Sequence, residues 1–328
     1  MGYSKHIYNL AKSKLNDRKN SALNIADFRK EELYFKFPRL NDIDKELCSV
    51  GISTAKAVLY GKDAGREIAL LREKSLELQE EYKNILVSNG YAENYLEPHF
   101  ACDKCKDEGF IELNNKTIAC ECFKKLLSAC ACEELNKVSP LTLSTFDTFN
   151  LSYYSDKPDD KGNIPYVRMS KIYDYCLNYA KNFTTDSKGI IMKGNTGLGK
   201  THLSLAIANE VINRGFSVAY VSAPDILAKL EKEHFSYGYS NEQAVMQSLL
   251  DCDLLILDDL GTEFATQFTS ATVYNLFNSR VNMKKPMIIN TNLTPTELEK
   301  NYSQRFNSRV MASCVMLDFI GNDIRAMI

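Results

Sequence analysis

A chain of 328 residues, 45% hydrophobic and 25% charged, has the composition of a soluble globular protein long enough for two or more units. No apolar run approaches the roughly 20 residues of a membrane span. The N-terminus, with Lys5, His6, Lys12, Lys14 and Asp17, lacks the apolar core of a signal peptide, so a cytoplasmic protein without a membrane partner is expected. A net charge of −2 excludes coating of nucleic acid by bulk charge while leaving room for a local basic groove. The ten cysteines, in a reducing compartment, point to metal ligation or burial rather than disulfides.

Residues 1–100 form a helical N-terminal region without a chemical motif. From Ile68 the apolar positions Ile68, Leu71, Leu78, Tyr82 and Ile85 alternate in three- and four-residue steps, with Ser75 as a polar break. That is a short coiled-coil-like seam, which either packs on its own domain or receives a partner.

Residues 101–135 read as a zinc-binding module. Cys102-Asp103-Lys104-Cys105 is followed by a turn at Asp107-Glu108-Gly109, a hairpin, and Cys120-Glu121-Cys122. Two close thiol pairs separated by a loop close a tetrahedral Zn²⁺ site whose four ligands leave no open position for water. Cys102, Cys105, Cys120 and Cys122 are the first choice, and Cys130, Cys132 or His99 can substitute for one of them. Residues 136–164, rich in Ser, Thr, Pro and turn residues, read as a linker.

Residues 165–328 open with a helix whose stripe is Ile172, Tyr175, Cys176, Tyr179 and Phe183. An apolar strand, Ile190-Ile191-Met192, then runs into Gly194-Asn195-Thr196-Gly197-Leu198-Gly199-Lys200-Thr201, the G-x-x-x-x-G-K-[ST] pattern. Backbone N–H groups of such a loop curl round phosphates, Lys200 places charge on the β- and γ-phosphates, and Thr201 offers its hydroxyl to Mg²⁺. Strand 217–222 and helix 224–233 continue the alternation of a parallel α/β sheet. Leu254-Leu255-Ile256-Leu257 then delivers Asp258 and Asp259 to a strand's carboxyl end, where such sheets bind ligands. Asp258 is suited to hold Mg²⁺ and Asp259 to polarise the attacking water. Strand 286–292 ends in polar amides, of which Asn292 rather than Asn290 is chosen to sense the γ-phosphate. Arg305, Arg309 and Arg325 surround a last strand, 314–319, and arginine stabilises transferring phosphoryl groups.

These pieces resemble the AAA+ ATPases of the bacterial helicase-loader type, the DnaC/DnaI family, which are similar to the IstB transposition helpers. The resemblance rests on residues 194–201, Leu254-Leu255-Ile256-Leu257-Asp258-Asp259-Leu260-Gly261, Thr291-Asn292, Gln304-Arg305-Phe306-Asn307-Ser308-Arg309 and Asp323-Ile324-Arg325, and covers half the chain. It implies an AAA+ P-loop core, with a five-stranded parallel sheet and flanking helices, behind a helical, zinc-binding N-terminal region. Lys200 and Thr201 then belong to Walker A, Asp258 and Asp259 to Walker B, Asn292 is sensor 1, Arg309 the arginine finger with Arg305 competing, and Arg325 a sensor-2-like contact. Asp259 stands where AAA+ proteins generally carry Glu, and where they generally carry a helical lid beyond the core the sequence runs only three residues past Arg325. Both departures resemble helicase loaders. The implied function is ATP-dependent loading of a hexameric replicative helicase onto single-stranded DNA, with self-association in the ATP-bound state. The alternatives are an IstB-like helper binding duplex DNA and a nucleotide-switched binding module with little hydrolysis. Phe235, Tyr237 and Tyr239, flanked by Lys229 and Lys232, lie where related proteins carry a DNA-binding insertion.

Overall fold

The computed structural model describes residues 3–60, 64–113, 116–137, 144–235 and 239–327. It divides into two compact units, Lys12–Cys120 and Met1–Ala11 with Glu121–Ile328.

The first unit takes most of helix α1 (Lys5–Lys36), then α2 (Pro38–Tyr60), α3 (Ala64–Ser88) and an antiparallel hairpin of β1 (Phe110–Leu113) and β2 (Lys116–Ala119). The break between α1 and α2 falls at Phe37-Pro38, because a residue before proline is driven out of the helical region and proline itself suits a first helical position. Ile43 and Val50 of α2 bury against Leu78 of α3, with Leu71, Tyr82 and Ile85 packed around them. The coiled-coil-like seam is therefore occupied by a neighbouring helix of the same unit. Arg39 braces the pair by reaching Glu46 of α2 and Glu81 of α3.

The second unit is an α/β domain. After α4 (Glu121–Asn136) and α5 (Pro165–Lys181), strands and helices alternate. They are β3 (Gly189–Lys193), α6 (Lys200–Asn213), β4 (Val218–Ser222), α7 (Ala223–Phe235), α8 (Tyr239–Asp251), β5 (Leu254–Leu260) and α9 (Gln267–Asn282). The chain continues through β6 (Met287–Thr291), α10 (Pro295–Tyr302), α11 (Gln304–Ser313) and β7 (Cys314–Asp318). The five strands are parallel in the order β4-β5-β6-β3-β7, which sets the phosphate-loop strand β3 between β6 and β7. Successive side chains face opposite sides of the sheet, so Ile190 and Met192 enter one core with α5 and α6, and Ile191 enters the other with α7 and α9. Thr294 and Glu297 close a capping box at α10, with Pro295 in its first turn.

The segment 144–164, expected as a linker, contributes Phe146, Phe149 and Tyr154 to the first core, and the Tyr154 hydroxyl donates to the Leu198 carbonyl at 3.0 Å. Three buried aromatic rings outweigh its polar, turn-rich composition.

Candidate functional site

The phosphate loop owes its shape to three glycines. Gly194, Gly197 and Gly199 have φ of 154°, 77° and 82°, conformations that side chains with a Cβ avoid. Gly199 caps α6, so Lys200 and Thr201 open that helix at the positive end of its dipole. The Lys200 side chain folds back across the loop, donating to the carbonyls of Gly194 and Asn195 and to Asn292 Oδ1, each at 2.7 Å. Only 6% of Lys200 is exposed, and burial lowers its pKa while Asp259 and Asp258 pull it back up.

Asp258, near the end of β5, is 3% exposed and saturated with donors. Oδ2 accepts from the Thr201 hydroxyl at 2.9 Å and from the Tyr220 hydroxyl. Oδ1 accepts from Asn290 Nδ2 at 2.7 Å and from the Asp259 backbone N–H at 3.1 Å. Four donors fix the orientation of this buried carboxylate. Its neighbour behaves differently. The pairing of β5 with β6 slips between Leu257 and Leu260, and Asp259 takes a φ of 55°, which turns its side chain out into the cleft. Partial burial and the Asp258 charge raise the Asp259 pKa, whereas Lys200 and Arg325 lower it.

The cleft between these groups has a volume of about 470 Å³ and is lined by the loop from Thr196 to Thr201, by Tyr220, Asp258, Asp259 and Asn292, and by Ile324 and Arg325. The C-terminal segment is tied to the loop by the Ile324 N–H donating to the Gly197 carbonyl at 3.0 Å. Arg305 and Arg309 lie exposed on α11 outside the described lining of the cleft, and Arg309 donates to Asn278 Oδ1. A separate cavity of about 530 Å³ is lined in part by Tyr3, Ser128, Ser217 and Asp251. Tyr3 donates to Asp251 there at 2.7 Å, and the phosphate loop, rather than cavity size, locates the chemistry.

Of the two amides expected at the end of β6, Asn292 meets Lys200, while Asn290 is fully buried and ties Asp258 to Ser204. Sequence reasoning missed Asn290 as a holder of Asp258, and it missed Tyr220. Neither carries a motif: each is one polar group inside an apolar strand, and only that inward polarity hints at a role.

Cys102, Cys105, Cys120 and Cys122 form a second candidate site, their sulfur atoms all lying within 4.8 Å of one another. Four sulfurs bound at roughly 2.3 Å to one tetrahedral centre stand about 3.8 Å apart, and Cys102 Sγ lies 3.8 Å from Cys120 Sγ. The Gly109 N–H donates to Cys105 Sγ at 3.3 Å, which helps fix the position of that sulfur. Lys106 and Asp107, with φ of 47° and 57°, make the tight knuckle after the first thiol pair. The buried Asp107 carboxylate secures it by accepting from the Ala101 N–H at 2.8 Å and pairing with Arg18. This donor set can hold a tetrahedral metal ion. His99, Cys130 and Cys132 are outside the cluster, and Cys132 is buried in the core of the sheet domain.

A parallel sheet with a glycine-rich phosphate loop, a buried lysine and a strand-end carboxylate pair defines the C-terminal domain as a P-loop ATP-binding domain of the AAA+ class. Residues 177–323 match the family model of IstB-like ATP binding proteins. Over 132 residues the chain is 28% identical to the replicative helicase loader DnaC of Escherichia coli (strain K12), covering 40% of this chain and 54% of that protein. It is 35% identical over 137 residues to the chromosomal replication initiator protein DnaA of Aquifex aeolicus (strain VF5), covering 42% of this chain and 33% of that protein. A crystal structure of the DnaC helicase loader matches with a TM-score of 0.47 and 19% identity, over 56% of this chain and 99% of that one. The chain spans about half the length of the curated DnaC relatives it matches. Its C-terminal domain is thus similar in sequence to the IstB-like ATP binding proteins and, at modest identity, to the DnaC helicase loaders.

Proposed function

We propose that this protein hydrolyses ATP to control the loading of a hexameric replicative helicase onto single-stranded DNA in the cytoplasm. The observation that carries the reading is a cleft in which the phosphate loop, Asp258, Asp259 and Asn292 meet, in a domain whose sequence resembles that of DnaC. In the proposed division of labour, the loop from Gly194 to Thr201 cradles the phosphates and Lys200 exchanges its backbone acceptors for β- and γ-phosphate oxygens. Thr201 and Asp258 present adjacent oxygens, 2.9 Å apart, that suit Mg²⁺. Bound there, Mg²⁺ supplies charge neutralisation on the phosphates. Asp259 accepts the proton of the attacking water, a role that its raised pKa favours. Asn292, bonded to Lys200, senses the γ-phosphate, and Arg325 contacts the nucleotide from the cleft wall. Arg309 serves the cleft of a second copy, so self-association completes the site.

The four-cysteine cluster holds zinc, which folds the head rather than serving ATP chemistry, and the N-terminal region meets the helicase. Phe235, 75% exposed and in ring contact with His234 and Phe268, offers a stacking face for bases, with the exposed Lys229 and Lys232 for phosphates. Tyr237 and the side chain of Tyr239, expected to join them, lie outside the described residues. No helix among the described residues is long and apolar enough to cross a membrane.

ATP turnover measured with and without single-stranded DNA, together with copurification of the helicase from the native cell, tests the proposal. Stimulation by single strands and capture of a hexameric helicase are expected. Stimulation by duplex DNA alone with capture of a transposase, or the absence of turnover under every condition, would overturn it.

A further inference from the structure

Tyr220 stands out because its polar end points into the middle of the candidate site while its ring belongs to the core. The residue is on β4, the sheet's edge strand, opposite Ile256 of β5, and its ring belongs to the same buried cluster as Ile256. The outer edge of β4 is itself fixed at this point. Asn136, the last residue of α4, donates from Nδ2 to the Val218 carbonyl at 2.7 Å and accepts the Tyr220 N–H on Oδ1 at 2.9 Å. One amide side chain thereby replaces a missing neighbour strand. Backbone and ring are both held, and the hydroxyl is delivered to Asp258 Oδ2 beside that of Thr201.

We propose that Tyr220 is a positioning residue for Asp258, its hydroxyl fixing the carboxylate in the orientation in which Asp258 and Thr201 together receive Mg²⁺. The inference rests on reading the cleft as an ATP site and goes beyond it by adding a residue that the phosphate-loop and carboxylate motifs do not contain. The donor count supplies the physical reason. The Asp259 N–H, on β5 itself, and Asn290, on the adjoining β6, hold Oδ1, whereas Oδ2, the oxygen shared with Thr201, is held from the β4 side by Tyr220 alone of the described residues. Without that hydroxyl the carboxylate plane is free to swing about the remaining donors, and the oxygen next to Thr201 loses its fixed place. Burial and the adjoining Asp258 charge raise the phenol's pKa, so the group remains a donor throughout the physiological range.

Tyr220→Phe keeps the buried ring and removes only the hydroxyl. Binding of a fluorescent ATP analogue is measured against free Mg²⁺, alongside binding of the same analogue in excess chelator and the melting temperature. The free Mg²⁺ needed for half-maximal binding should rise about tenfold, the scale of one lost hydrogen bond to a charged group, while chelator-state affinity is unchanged. In an Asp258→Asn background the same substitution should add nothing. A variant that melts within a few degrees of wild type and keeps the wild-type Mg²⁺ requirement overturns the proposal. So does an equal shift with Asp258→Asn already in place, which would assign the effect to general packing. Should Tyr220→Phe melt early, the comparison of affinities with and without chelator decides, since damage to the fold lowers both and misplacement of Asp258 lowers only the first. If the wild-type protein binds no nucleotide at any Mg²⁺ concentration, the ATP-site reading itself falls, and the role of Tyr220 falls with it.

Discussion

Gly194→Ala tests whether the phosphate loop is as tightly seated as the structure shows. A Cβ at this position would lie 2.5 Å from the Phe319 carbonyl oxygen, 2.9 Å from Phe319 Cβ and 3.2 Å from Leu198 Cδ1. The first neighbour is backbone, and Phe319 cannot recede easily: it is buried, and its N–H donates to the Lys193 carbonyl at 2.7 Å. A φ of 154° adds strain, roughly 1–3 kcal/mol for a conformation reserved to glycine, and overpacking adds roughly 1–3 kcal/mol more. At roughly 2–4 °C per kcal/mol for a unit of this size, the melting temperature should fall by about 5–20 °C. If the loop shifts to escape the contact, the melting loss shrinks. The bonds of Gly194 N–H to the Thr291 carbonyl and of Lys200 to the Gly194 carbonyl then break, so nucleotide affinity falls instead. Thermal unfolding and titration with a fluorescent ATP analogue on the same sample therefore read both routes. Gly215→Ala is the control, because Gly215 has a φ of 87° with nothing within 4 Å of a new Cβ. It should show only the conformational cost, about 1–2 kcal/mol. A Gly194→Ala protein that melts and binds nucleotide like the Gly215→Ala control would refute the argument from close packing.

Asp259→Asn should bind nucleotide but lose hydrolysis, as single-turnover measurements would show. Because burial and Asp258 hold the Asp259 pKa above its ordinary 3.8, ionising it favours the unfolded chain. The variant should therefore melt higher at neutral pH, with the gain fading as pH falls through the raised pKa and gone below the ordinary value. Cys102→Ser with Cys105→Ser should reduce bound metal from about one zinc per chain to none while leaving nucleotide binding intact, read by elemental analysis and titration. Arg309→Ala should bind ATP yet hydrolyse it poorly, and mixing it with Lys200→Ala should restore part of the activity. A mixture no more active than its parts counts against supply of Arg309 by a second copy.

How much could be read from the sequence depended on whether a residue's role is local in the chain. The phosphate loop is local: strand, glycines, lysine and helix start follow one another, so Gly194 to Thr201 declare their geometry directly. The four cysteines are nearly so, since two short spacings and a hairpin bring them together. Asp258 and Asp259 were legible as a pair, but their opposite exposures arise from the register slip between β5 and β6, a property of two strands. Tyr220 and Asn290 were illegible because their meaning is the distance to Asp258, 38 and 32 residues away in the chain. The segment 144–164 was masked by composition: its turn residues set the local conformation, yet Phe146, Phe149 and Tyr154 decide where it packs. Helices α8 and α9 went unassigned because the sequence reading followed motifs, and these two helices carry none.

The choice between Arg309 and Arg305 turns on which of these two α11 side chains is held in place. Phe306 and Val310, four residues apart, are buried and pin one face of this helix into the second core, which leaves positions 305 and 309, also four apart, on the exposed side. Both arginines are thus presented outward and away from the described lining of their own cleft, the placement expected of a group that serves a neighbour. Arg309 has the further advantage of being held, since its Nη1 donates to Asn278 Oδ1 on α9. Fixing a long side chain costs roughly 1.5–2 kcal/mol of rotamer entropy. An arginine already tethered by a neutral amide has met part of that cost before a phosphate arrives, and the amide gives it up more readily than a carboxylate would. A guanidinium delivered in this way can be worth about 10³–10⁵ in rate, far more than the cleft's own exposed Arg325 contributes if it serves only to bind nucleotide. On this reading a single copy holds ATP and turns it over slowly, and the arrangement of copies sets the rate.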